Sequence, residues 1–370
     1  NYNAQRGTSL MYYRPLASEI EETDWTKVVQ RSNAKTSNYN LSVSGGYEKT
    51  TYFTSFGAFK QEGIFKTSEF NQYSYRIKLS HKLNRILQFN TNLAFTLADR
   101  DLIEEENSGL KVLRTAREEQ PWYGPYTASG DYKVNGTQLI RHNPLMLINE
   151  EKWNSKRYEG IGLISLDVKP FKGFKYTPSV KVFASYFEEK KTLTEQMVAR
   201  AQSAGWGAIA QNKDTRLRYV IDNLFQYNNQ VGDLDYSILA GHSFERFSSE
   251  DFGVLSDNYR NGAFPSSSFG LINAGPNIYA NGFGYTAFGL ESYISRLNLS
   301  YQGKYMLNAS MRIDGASKFS QEKRYGTFPS VSAAWLIHKE AFMEKQQLFD
   351  ELKLRASYGV TGSISGVGNF

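Results

Sequence analysis

Residues Tyr73–Ser80 read YSYRIKLS and, after a turn around Asn84, residues Leu87–Leu97 read LQFNTNLAFTL. In the first segment Tyr73, Tyr75, Ile77 and Leu79 alternate with Ser74, Arg76, Lys78 and Ser80. In the second, Leu87, Phe89, Leu93, Phe95 and Leu97 alternate with Gln88, Asn90, Asn92 and Thr96. Successive side chains of a strand point to opposite faces, so each segment presents one apolar face and one polar or charged face. The two predict an antiparallel hairpin whose like faces line up.

The same alternation recurs along the chain. Tyr176, Val180, Val182 and Tyr186 stand against Lys175, Thr177, Lys181 and Ser185; Tyr305, Leu307, Ala309, Met311 and Ile313 stand against Asn308, Ser310, Arg312 and Asp314; Leu354, Ala356 and Tyr358 stand against Lys353, Arg355 and Ser357. The pattern predicts about twelve strands, near 38–46, 51–60, 72–82, 86–98, 158–168, 174–190, 215–231, 235–246, 290–301, 305–314, 328–337 and 351–360. A soluble β-sandwich also alternates, but its strands run to about five or six residues, whereas a strand crossing a bilayer needs about nine to eleven.

The joins sort by length. Gly46–Thr50, Leu83–Arg85, Lys169–Gly173, Gly232–Leu234 and Gln302–Lys304 are short; Gln61–Asn71, Asp99–Arg157, Lys191–Asp214, Phe247–Gly289 and Gly315–Thr327 are long, and the two kinds alternate. The last join, His338–Asp350, falls on the short side and reads as an amphipathic helical turn. Short turns at one end and long loops at the other are the habit of outer-membrane barrels, and a sandwich has no reason to sort its loops this way. The expected fold is therefore all-β, a transmembrane antiparallel β-barrel with short periplasmic turns and long extracellular loops.

Composition agrees. Of 370 residues, 25 are Tyr and 24 Phe against 6 Met, a balance suited to pleated surfaces and aromatic girdles. Cysteine is absent, which removes disulfides and thiolate metal sites. The net charge of +6 comes from 43 basic and 37 acidic residues spread along the chain, without a groove-reading motif, so no nucleic-acid partner is expected. The densest apolar run, Val331–Ile337, is one strand long and excludes a membrane-spanning helix.

Little in the sequence speaks for catalysis. His81, His142, His242 and His338 lie in separate segments without metal-site spacing, Gly282, Gly284 and Gly289 lack a strand-to-helix setting for phosphate and read as a flexible loop, and the acidic pairs read as solvated charge. No nucleophile, base and orienting group can be assembled. No enzyme activity, catalytic residue, metal or cofactor is expected. The informative stretch is the long loop, where Trp122, Tyr123 and Tyr126 sit among Pro121, Gly124 and Pro125. Exposed rings can stack on sugar faces or apolar peptide side chains, or else pack the loop onto the barrel rim. Arg141, Trp153, Tyr259 and Arg260 are further substrate-binding candidates of the same kind. Arg76, Lys78, Lys181, Arg312 and Arg355 are expected to line a wet interior.

Several strings resemble one family, the SusC/RagA-like TonB-dependent outer-membrane transporters. They are Thr23-Asp24-Trp25, YNLSVSGG at 39–46, KTTYFTSFGAFKQEGI at 49–64, MRIDGASKF at 311–319, RYGTFPSVSAAW at 324–335 and LKLRASYGVTG at 352–362. The resemblance implies a barrel of about 22 strands around an N-terminal plug domain. It also implies energy coupling through TonB, a SusD-like surface lipoprotein as a lid, import of oligosaccharides (glycans) or in some members peptides, and a dimer of transporter–lid pairs in the bacterial outer membrane. Neither plug, TonB-contacting segment nor final strands are recognised in the sequence, so residues 1–370 are expected to be the middle of one TonB-dependent receptor-like β-barrel domain. Two alternatives stay open: a closed barrel of these twelve strands alone, and a barrel serving as scaffold or surface adhesin for other proteins.

Overall fold

The computed structural model describes residues 22–103, 112–122, 124–133, 143–194, 207–259, 277–344, 349–364 and 366–368. Twelve strands form one sheet in strict chain order, each antiparallel to the next. They are β1 (Thr36–Tyr47), β2 (Thr50–Glu62), β3 (Glu69–Lys82), β4 (Leu87–Leu102), β5 (Glu151–Val168), β6 (Phe174–Leu193), β7 (Gly207–Val231), β8 (Leu234–Tyr259), β9 (Asn277–Tyr301), β10 (Tyr305–Ala316), β11 (Tyr325–Leu336) and β12 (Lys353–Gly359). Every expected strand is present. Among the described residues β12 does not pair with β1, so the twelve do not close on themselves.

The register carries the alternation from strand to strand and shifts by a residue only toward the loop end, at Gly207/Ala208 between β7 and β8 and at Gly253/Val254 between β8 and β9. One row across the sheet runs Leu41, Phe56, Tyr75, Phe95, Gly160, Ala184 and Leu217. At the far side Tyr236, Leu299, Leu307, Ala333 and Ala356 continue the same face. The rings on it are open: Phe95 is 53% exposed and Tyr75 44%. A face of this size with no cover among the described residues needs an apolar solvent, and hydrocarbon supplies one.

Two girdles bound this face. Near the short turns lie Tyr227 and Tyr236, with ring centroids 6.0 Å apart, and the stack of Tyr301, Tyr305 and Trp335. Toward the loops lie Tyr158 and Tyr186, 6.1 Å apart, with Tyr293 and Tyr325. Glu291, on this face beside Tyr293, meets His242 at 2.9 Å and accepts from the Tyr293 and Tyr325 hydroxyls at 3.1 and 3.0 Å, so its charge is not left bare.

The short turns are built for tightness. At Gln302–Gly303 both residues have positive φ, 51° and 59°, as the central pair of a type I′ turn requires, and the Lys304 amide closes that turn on the Tyr301 carbonyl at 3.0 Å. Gly173 has φ +85°, and a Cβ there would lie 2.3 Å from the Asn228 carbonyl oxygen. Beyond β11 the chain makes two 3-10 turns, Ile337–Lys339 and Ala341–Met343, where a helical turn was expected. Between them Glu340 accepts from the Tyr305 hydroxyl at 2.6 Å, the Trp335 indole at 3.0 Å and Lys304 at 3.2 Å. These bonds, the tyrosine's above all, hold its carboxyl below the usual range.

The structure corrects the strand ends. β7, β8 and β9 run 25, 26 and 25 residues, taking in most of what reads as the loop Phe247–Gly289. Gly282, Gly284 and Gly289 are strand residues of β9, not a flexible loop. At about 3.3 Å per residue such strands run on the order of 80 Å, so they rise well beyond a bilayer at the loop end.

Candidate functional site at the polar wall and the loop end

The second face of the sheet is a polar wall. Arg76, Lys78, Lys181, Arg312 and Arg355 all fall on it, as the alternation requires. A row of small hydroxyls and carboxylates crosses it: Ser165, Ser179, Asp222, Ser243, Ser292 and Asp314. Asp222, 6% exposed, is the centre of this row. Lys181 lies 2.8 Å from its carboxylate, the Ser243 hydroxyl donates at 2.6 Å and the Ser179 hydroxyl at 3.4 Å. A buried carboxylate needs these partners to stay charged. Arg218 pairs with Glu245 at 2.8 Å and Arg312 with Asp314 at 2.7 Å. The wall is not polar throughout, however: Ile161, Leu163, Phe183 and Val220 share it, and Ile161 is 54% exposed. The wall thus offers both charge and grease.

At the loop end a small core covers the sheet edge. Helix α1 (Trp25–Val29) precedes β1, and α2 (Val112–Glu118) and α3 (Pro144–Glu150) lie within the connection of β4 to β5, which reads from sequence as loop alone. Asp24 caps α1: its carboxylate accepts from the Thr26 hydroxyl at 2.6 Å and the Lys27 amide at 3.2 Å. Those bonds, led by Thr26, lower its pKa to about 2. Asn143 caps α3 ahead of Pro144, a pairing suited to a helix start, and its amide donates to the Pro125 and Lys133 carbonyls at 2.6 and 3.1 Å. Trp25, Val29, Phe65, Val112, Met146 and Leu147 bury together, drawing the segments at 22–30, 63–68 and 112–150 onto one core. Arg31 fastens the second of these through four carbonyls, those of Gly63 and Ser68 at 2.9 Å and those of Phe65 and Lys66.

The expected substrate-binding residues are scattered over this assembly. Trp122 is exposed, next to Pro121, whose carbonyl takes the Thr23 amide at 2.7 Å. Tyr126 stacks on Tyr132 with centroids 5.6 Å apart, so one ring of the loop is packed, not free. Burial, and the hydrogen bond to Glu150 at 2.9 Å, push the Tyr132 hydroxyl up to about 12. Trp153 belongs to the start of β5, with the Lys191 ammonium 4.5 Å from its ring and its indole N–H buried with no acceptor among the described residues. It lines a cleft of about 760 Å³ with Thr67, Asn149, Lys152 and Lys190. Tyr259 ends β8, opposite Gly207. Tyr123, Arg141 and Arg260 lie outside the described residues. Tyr132, Lys191 and Asn143 were not singled out from sequence, and only the Asn–Pro helix start could have signalled the last.

Comparison with known proteins agrees with this geometry. No protein-family model matches the chain. The TonB-dependent receptor P26 of Formosa agariphila is 29% identical over 350 residues, 88% of this chain and 32% of the relative. The TonB-dependent receptor SusC of Bacteroides thetaiotaomicron is 26% identical over 366 residues, 92% of this chain and 35% of the relative. The RagAB peptide importer in its 'open-open' state superposes with a TM-score of 0.77 at 22% identity, over 94% of this chain and 38% of that one. The resemblance to SusC/RagA-like TonB-dependent transporters thus extends over about nine-tenths of the chain, and the chain spans about a third of the length of the curated relatives it matches. The sheet is that of an outer-membrane β-barrel, and these relatives are named as TonB-dependent receptors and a peptide importer.

Proposed function

We propose that this chain is an arc of the barrel of a TonB-dependent outer-membrane transporter that imports a bulky solute, an oligosaccharide (glycan) or a peptide, together with a SusD-like surface lipoprotein. The observation that carries the reading is the register, which over twelve strands sets one bare apolar face against one charged wall and shifts only toward the loop end, with the two longest connections, β4 to β5 and β8 to β9, at that same end. Open edges in lipid cost several kcal/mol per unpaired group, so further strands, about ten if the barrel is of the 22-stranded kind, must close the sheet. A plug and a TonB-contacting segment would lie within the wall that Arg76, Lys181 and Arg312 line. Residues 1–370 would form part of a single barrel domain.

In this reading the loop end holds the solute, with Trp122, Tyr123, Tyr126, Arg141, Trp153, Tyr259 and Arg260 as its candidate contacts. A peptide solute draws support from RagAB, a peptide importer, and a glycan from the exposed rings, which stack on sugar faces. The test deletes Trp122–Tyr126 in the full-length protein in cells and follows uptake of a labelled oligosaccharide and a labelled oligopeptide. Uptake of one of the two should fall while the barrel stays assembled and the SusD-like lipoprotein still co-purifies. Uptake of both at the parental rate would remove these rings from the site. A protein that binds surface partners but takes up neither solute would be a scaffold or adhesin instead.

A further inference from the structure

Four adjoining rows on the outward face of β4 to β7 make a graded surface. The lowest, Phe95, Gly160, Ala184 and Leu217, has two side chains missing or minimal between two large ones. Gly160 and Ala184 floor a groove of about 670 Å³ walled by Tyr73, Phe95, Tyr186 and Leu217. One row toward the loops stand Leu97, Tyr158, Tyr186 and Thr215, part of the upper girdle. Above them come Asp99, Lys156, Glu188 and Lys213, then Asp101, Asn154, Lys190 and Gln211. Lys152, Lys156 and Lys190 line the same 760 Å³ cleft, together with Asp101 and Glu188.

The acids and the lysines here are engaged unequally. Asp99 and Asp101 each take a 2.8 Å hydrogen bond from the Asn154 amide, and Glu188 takes one of 2.6 Å from Gln211. The lysines stand farther off, with Lys156 at 3.5 Å from Asp99 and Lys190 at 3.5 Å from Glu188, against 2.8 Å for Lys181 and Asp222 on the wall. Each carboxylate thus has an amide donor closer than its lysine, and the Lys156 and Lys190 ammonium groups, at 3.5 Å from their acids, have N–H groups to turn toward an anion. Gly160 and Lys156 are four residues apart on β5, about 13 Å along a strand.

We propose that this ladder binds an acylated, phosphate-bearing lipid of the outer leaflet, one acyl chain lying over Gly160 and Ala184 and a phosphate resting on Lys156 and Lys190. The occupant is a lipid because the groove opens on the face read as facing hydrocarbon, and because the cationic cleft begins where the tyrosine girdle marks the headgroup level. The acyl groove opens on the opposite face of the sheet from the wall that would pass solute, while the phosphate cleft is shared with Trp153, a candidate solute contact, so retained lipid and not uptake is the readout that tests the site.

The experiment uses the full-length protein purified from outer membranes in mild detergent, with retained lipid read by native mass spectrometry. The parent should keep a phosphorylated lipid, and exchange with added lipid should favour the phosphorylated form over its dephosphorylated counterpart. The double variant Lys156→Gln/Lys190→Gln should lower occupancy about tenfold or more. Gly160→Leu should also lower it, since a Cβ at Gly160 meets the Phe95 ring at an ordinary 3.6 Å and the longer side chain would fill the groove. Lys78→Gln, on the wall, should leave lipid unchanged. Heat-dependent gel mobility shows which variants have assembled, and the phosphorylated-lipid preference of the parent decides alone if they have not. Parental lipid levels in both assembled variants, no preference for phosphate, or a second copy of the protein held in place of the lipid and lost in Gly160→Leu would each overturn the proposal.

Discussion

At the scale of single residues the loop end depends on a few polar anchors. The folded-state pKa of Asp24 lies below its unfolded value, so its contribution to stability is present above about pH 4 and is lost as the pH falls toward about 2. Acidification through that window should loosen α1 and shift the emission of the neighbouring Trp25. Asp24→Asn, which keeps a cap without a titrating group, should abolish the shift, and an unchanged acid transition in that variant would assign it to another carboxylate. Arg31 is a second anchor. Replacing it with Ala leaves four carbonyls of 63–68 without their cationic donor, at a cost of about 2 kcal/mol. Protease cleavage within 63–68 should quicken while the strands stay protected; resistance equal to the parent would mean that the Arg31 amide, bonded to the Ile64 carbonyl at 2.8 Å, suffices. Neither role was legible in the sequence, since an arginine after a short helix carries no mark of the carbonyls it will meet about 35 residues away.

At the scale of elements the strands were legible and their ends were not. Alternation at Tyr73–Ser80 or Tyr305–Asp314 is imposed by two solvents of opposite kind, and so it is written into composition at every second residue. Above the membrane both faces of β8 and β9 meet water or other polar segments. The pattern fades there although the hydrogen-bonded ladder continues, which is why residues 247–259 and 277–289 read as loop. The helices α2 and α3 escaped for another reason: seven residues each give too few turns for a 3.6-residue period to declare itself, and their burial depends on Trp25 and Phe65 from distant segments. Turn chemistry was legible in position but not in consequence. Gly173→Ala should cost at least about 2 kcal/mol, from positive φ and from the Asn228 carbonyl together. It should lower the temperature at which the assembled barrel changes its gel mobility, whereas Gly130→Ala, with positive φ but open space around it, should cost less. Equal shifts would show that φ alone decides.

At the scale of the molecule one proposition orders the rest, that the face bearing Tyr75, Ile77 and Phe95 meets hydrocarbon and the face bearing Arg76 and Lys78 meets water. The two alternate on one strand, so neighbouring positions must differ sharply in what they touch. The 370 residues contain no cysteine, which lets single cysteines report on each position in turn. Placed at Ile77 or Leu93, partners across β3 and β4 in mid-band, a cysteine should resist a charged, water-soluble maleimide, and a fluorophore attached there in denaturant before refolding should be quenched by brominated lipid chains. At Lys78 or Asn92, the next pair along the same two strands, the order should reverse: reaction with the maleimide where no other segment covers the wall, and no quenching from lipid. Energetics should follow the same alternation. Ile77→Lys places a charge near the middle of the apolar band and should cost about 2–4 kcal/mol, while Asn92→Lys on the wall should cost far less, because only the first must be drawn out of lipid. If Ile77 and Lys78 label alike, or if brominated lipid quenches both, the sheet does not divide two solvents, and its apolar rows must be covered by protein in a two-layer body.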